Sequence, residues 1–104
     1  MATWSPTTQG ELERLLLEQL SHCSVDEQRV FERVRISLRA FQILRVGKIE
    51  SVFAVCEHAG QFLIFEDIEQ GFEWCLPDAD GVIRSYGCSQ AGLQPRLYEL
   101  LQAN

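Results

Sequence analysis

Between Ile49 and Ile83 the chain has no lysine and no arginine. The same stretch carries eight carboxylates, on Glu50, Glu57, Glu66, Asp67, Glu69, Glu73, Asp78 and Asp80. Just upstream the balance reverses: Arg29, Arg33, Arg35, Arg39, Arg45 and Lys48 stand against Glu32 alone. With a net charge of −6 the chain repels phosphate backbones, so no nucleic-acid partner is expected. No run approaches the ~18 apolar residues of a membrane span, so no membrane partner is expected either. The opening MATWSPTTQGELERLLL has no basic start, and charges interrupt its first apolar cluster. It does not read as an export signal, and a cytoplasmic location is expected. Cys23, Cys56, Cys75 and Cys88 would then be reduced thiols. Short paired cysteines, glycine-rich phosphate loops and H-E-x-x-H helices are all missing, so no cofactor and no metal are expected.

What is present describes one domain over residues 1–104. A chain of this length buries a core without staples. Thr8 and Glu11 form a capping box ahead of Leu12, Leu15, Leu16 and Leu20, which predicts a helix from Gln9 to Ser21. Ser24 and Glu27 repeat the capping pattern and start a second helical turn. From there two periodicities compete. Val30, Val34 and Leu38 follow a helix, while Val34, Ile36 and Leu38 alternate with polar neighbours as a strand does. A short helix and then a strand from Phe31 to Leu38 is the preferred reading. Ala40 to Lys48 reads as a connection or a weak strand.

Ser51–Glu57 and Gln61–Glu66 are β-branched and aromatic runs joined by His58-Ala59-Gly60, a hairpin. Both are apolar on both faces, as covered central strands are. A turn with Gly71 in the unusual backbone angle leads to a strand from Gly71 to Leu76. Pro77 to Gly81 is another turn, Val82 to Tyr86 a short strand, and Gly87 a break. Leu93, Leu97, Leu100 and Leu101 make the face of a closing helix with Pro95 in its first turn or Ser89 as its cap. The fold class is therefore α+β: an antiparallel sheet of about four strands with the N- and C-terminal helices packed on one face.

Glu66, Asp67, Glu69 and Glu73 could act together as acid and base or hold a divalent cation; exposed turn acids are the plainer reading. Asp78-Ala79-Asp80-Gly81 looks like part of a calcium loop but lacks the closing Glu, so it reads as an Asp-Gly turn. His22-Cys23 could pair with Cys75 or Cys88 on zinc, against the absence of short ligand spacing. His58 sits on a hairpin tip with nothing to activate a thiolate beside it. Trp4 belongs to a leading segment and Trp74 to the core face. The arginine stripe Arg33, Arg35 and Arg39 could bind phosphate, or pair with the acidic hairpins.

Phe65 to Trp74 is the most distinctive local text, with Asp67-Ile68-Glu69-Gln70-Gly71-Phe72 at its centre. With Gly81-Val82-Ile83 and Cys88-Ser89-Gln90 behind it, the second half of the chain resembles small bacterial proteins, some of which look like immunity partners of toxins. The resemblance implies a protein-binding role and no active site. Three classes of function follow. The first is an acidic protein-interaction module, of the immunity kind, that meets a basic toxin or other basic partner through Glu66, Asp67, Glu69, Glu73, Asp78 and Asp80. The second is an enzyme or metal-binding protein built on Glu66, Asp67, Glu69 and Glu73. The third is a homodimer subunit joined through its two-sided strands.

Overall fold

A computed structural model of the chain describes residues 7–86 and 90–102. Trp4, Gly87, the Cys88 thiol and the alternative cap Ser89 lie outside the described residues. Three helices and five strands follow in the order α1 (Gln9–Leu20), α2 (Val25–Val34), β1 (Arg35–Arg45), β2 (Lys48–His58), β3 (Gln61–Glu66), β4 (Gly71–Cys75), β5 (Val82–Ile83) and α3 (Leu93–Gln102). The fold is α+β with helices at both ends. The sheet, however, has five strands and is mixed, not four and antiparallel. Its order is β4-β3-β2-β1-β5, and only β5 runs parallel to its neighbour, through Gln42 and Ile43 of β1. Two residues of pairing leave no periodicity to read. Their partner strand is set by where the link Leu76–Gly81 returns the chain, on the far edge from β4.

Both capping boxes form as read, on Thr8 with Glu11 and on Ser24 with Glu27. The competing periodicities at residues 30–38 are both real. Val30 and Phe31 bury one helical face, the helix ends at Val34, and the alternation of Ile36 and Leu38 belongs to β1. Ala40–Lys48 is not a connection. β1 continues through buried Phe41 and Ile43 to Arg45, and turns at Val46-Gly47, both in the left-handed region. The β2–β3 hairpin closes on Ala59 and Gly60, again both left-handed, the geometry whose twist matches a two-residue hairpin. In the β3–β4 turn the left-handed residue is Gln70, not Gly71, because Gly71 already pairs with Glu66 across the ladder.

The sheet carries a core on each face. On the first, Leu12 and Leu16 of α1, Val30 and Phe31 of α2 and Leu93 and Leu97 of α3 meet Val55, Cys56, Leu63, Phe65 and Phe72. On the second, Phe41, Ile43, Val52, Ala54, Ile64, Cys75 and Ile83 form a smaller cluster. The Arg39 guanidinium lies over the Phe41 and Phe62 rings of that cluster, 4.6 and 5.4 Å from their centroids. Double-sided burial explains why β2 and β3 read as continuous apolar runs.

Phe65 and Phe72 lie 5.1 Å apart at the centre of the first core, both buried, whereas Phe53 is half-buried. Phe65→Ala and Phe72→Ala should each lower unfolding free energy by about 3–5 kcal/mol, and Phe53→Ala by less. Urea denaturation measures all three. A larger loss at Phe53 than at Phe72 would contradict this packing.

Candidate functional site

The acidic turn is organised around one buried arginine. Arg45 ends β1 with its side chain only 3% exposed. Its Nη2 donates to Glu66 Oε1 at 2.6 Å and to Asp67 Oδ1 at 2.8 Å, and Nη1 reaches Glu50 Oε1 at 3.5 Å. Glu66 in turn accepts from the backbone N–H groups of Ile68 and Glu69, at 3.4 and 2.7 Å. Asp67 Oδ2 accepts from the Thr7 N–H at 3.1 Å, tying the start of the described chain to the same point. Three carboxylates thus share one guanidinium. Arg45 Nε is buried without a hydrogen-bond partner among the described residues, a cost of about 1–3 kcal/mol that the three carboxylates must outweigh.

A second arginine fixes the other end of the acidic box. Arg96 of α3 donates through Nε to the Phe72 carbonyl at 2.8 Å, and through Nη2 to Glu73 Oε2 at 3.1 Å. The Phe72 N–H donates to the Ala91 carbonyl at 2.8 Å. The segment around α3 therefore covers the outer edge of β4. A third arginine, Arg84, bonds Asp78 and Asp80 in the exposed turn before β5. Hydrogen bonding from Arg84 holds the Asp80 carboxyl below its usual range.

The structure therefore divides the six acids expected to meet a partner. Glu66, Asp67 and Glu73 are buried, and their oxygens are taken by fixed donors. They cannot be the contact surface, because a folded hairpin has no room for a partner between them and their arginines. The same geometry removes them as a free acid–base set. Glu69 is half-exposed, and Asp78 and Asp80 are exposed, both bonded by Arg84, with the Val82 N–H also donating to Asp80 Oδ1 at 3.3 Å. Among the described residues the arginine stripe makes no ion pair with the hairpins. Arg35 bonds Glu32 at 3.0 Å within its own segment, and Arg39 lies over aromatic rings.

The described thiols, Cys23, Cys56 and Cys75, are core residues. Cys23 belongs to the first cluster and Cys75 to the second, so the sheet separates them and they cannot share a metal ion. Among the described residues no three His, Cys, Asp or Glu side chains gather as metal ligands. Burial pushes the Cys56 thiol up to about 12 and the Cys75 thiol to about 11, with Glu73 adding to the latter. Burial also raises Cys23. His58 is exposed beside the half-buried Trp74, at 6.4 Å between ring centroids. None of the described residues forms a helix long and apolar enough to cross a membrane. No protein-family model, no curated protein and no solved structure matches the chain.

Sequence reasoning missed Arg45 and Arg96. A signal for Arg45 was present. It occupies an inward position in the alternation Phe41, Ile43, Arg45, and a charge there demands buried counter-charges.

Two outcomes follow. Arg45→Met should cost about 3–5 kcal/mol near neutral pH, because it strands buried carboxylates. Chemical denaturation measures the deficit; a loss below about 1 kcal/mol would show that Arg45 does not offset buried charge. In the native protein, iodoacetamide at mildly alkaline pH should leave Cys23, Cys56 and Cys75 unlabelled while the unfolded chain labels freely. Peptide mass spectrometry measures this, and native labelling of Cys56 at the unfolded rate would refute its burial.

Proposed function

We propose that the protein acts by binding another, basic protein, as an immunity protein does when it covers a toxin. One imbalance carries this reading: Glu50, Glu66 and Asp67 share the single charge of Arg45. Their surplus negative charge sits where low dielectric and poor solvent access weaken screening. It adjoins the two turns that carry half-exposed Glu69 and the exposed side chains of Val46 and Ile68. These two apolar residues are chain neighbours of Arg45 and Asp67, so the buried cluster fixes the turns that present them. An acidic, partly apolar surface on a rigid base attracts a basic partner and speeds its encounter. The likeness of the Asp67–Phe72 box to immunity-like bacterial proteins points the same way, and the cytoplasm is the compartment where such a partner would meet reduced thiols.

The immobilised protein should capture a basic protein from an extract of its source cell. Glu69→Lys should leave stability within about 0.5 kcal/mol. It should slow association with the captured protein, measured by surface plasmon resonance, and most strongly at low salt. Association rates that ignore both the substitution and the salt concentration would exclude this surface as the contact.

A further inference from the structure

We infer that the hollow where α2 and α3 meet the end of β2 is a binding site for a small organic carboxylate with an apolar body. It encloses about 270 Å³ and is lined by Val30, Arg33 and Val34 of α2, His58 of β2 and Leu100 of α3. Val30 belongs to the first core, and Val34 and Leu100 pack against it, so the floor is apolar and fixed. The polar part of the lining has two members. Arg33 carries a permanent positive charge and makes no hydrogen bond or ion pair among the described residues. The His58 ring has no hydrogen-bond partner among them either. It meets Trp74 edge-on, with centroids 6.4 Å apart, and Trp74 in turn packs against the first core.

Charge and shape together select the ligand. In a chain at −6, this hollow has no carboxylate in its lining. The acids on the neighbouring helix turns have other partners: Glu32 is bonded by Arg35 at 3.0 Å and Glu99 by Arg96 at 2.9 Å. Arg33 also borders the larger hollow beside α2, but Asp26 there is met by Arg29, and Glu32 by Arg35. A guanidinium without a counter-charge beside an apolar floor calls for an anion from outside the chain. Its planar fork matches the two oxygens of a carboxylate, and the imidazole supplies a further N–H donor in either protonation state. The volume lies just under the roughly 300–1,000 Å³ of pockets that hold drug-sized molecules, so the body is a single ring or a short branched chain. A bare anion would leave Val34 and Leu100 uncovered, and a neutral molecule would leave Arg33 unmet.

Benzoate titrated into the isotope-labelled full chain, followed by NMR, tests this directly. Signals of Val34, His58, Trp74 and Leu100 should shift together and saturate, with a Kd of about 1 mM for so small a ligand. Acetate, inorganic phosphate and benzamide should each bind at least about tenfold more weakly. Arg33→Gln should weaken benzoate about tenfold with unchanged circular dichroism and melting temperature, because Arg33 is exposed and unpaired. Arg14→Gln, at an exposed arginine of α1 outside the hollow, should leave binding as it is. Shifts that do not saturate, or that scatter over the surface, would overturn the inference. Phosphate or acetate binding as well as benzoate would also overturn it, because the floor then plays no part. Benzamide matching benzoate would do the same for the charge, and these three comparisons need no substituted chain. None of these outcomes depends on whether the acidic turns bind a basic protein.

Discussion

The Arg45 guanidinium is the interaction on which the sheet's organisation depends. It stands at the end of β1 and gathers Glu50 from β2, Glu66 from β3 and Asp67 from the turn beyond. Three strands that backbone pairing alone would leave free to splay at one end are closed by one side chain. The gain is conditional, because a buried ion group returns its desolvation cost only when geometry and extra hydrogen bonds are good. Here the extra bonds come from the turn itself: Glu66 accepts two backbone N–H groups and so orders Asp67–Gln70 while facing Arg45. Turn geometry and ion cluster meet in the one carboxylate of Glu66.

This dual use explains which parts of the chain were legible. Elements announced by local chemistry are where the sequence puts them: both capping boxes, the two long apolar strands and the closing leucine helix. Features that depend on distant partners were not legible. The pairing of Val82 and Ile83 with β1 is one, and the burial of Glu66, Asp67 and Glu73 is another. Carboxylates in a turn look solvated until the arginine that claims them is located in space. The charge asymmetry was correctly visible but misleading in its meaning, since one base from the basic segment and one from α3 are spent inside the acidic one. Of the two readings open for Ala40–Lys48 the strand is the one that forms, and it looked weak because Leu44 blurs the alternation of Phe41, Ile43 and Arg45.

What remains at the surface is a molecule with two unlike sides. The turns around Glu69 retain a negative surplus, while the helical layer is locally balanced and apolar. Neither side holds a constellation suited to bond chemistry among the described residues: the thiols are buried, and the clustered acids are occupied by arginine.

The start of α3 adds a further property. The Leu93 N–H donates to Gln19 Oε1 at 2.7 Å, a contact spanning 74 residues, and Gln94 donates to Glu27 across 67. The first turn of α3 thus takes a cap from α1, and a Cβ on Gly92 would sit 3.2 Å from that same Gln19 oxygen. A helix capped from the opposite end of the chain has little reason to persist alone. Ordering of the two ends is coupled, so the last helix should join only after the first is in place, and loss of either should be felt as loss of the whole cooperative unit. During synthesis the fold would therefore stay open until the residues of α3 are free to reach back to α1.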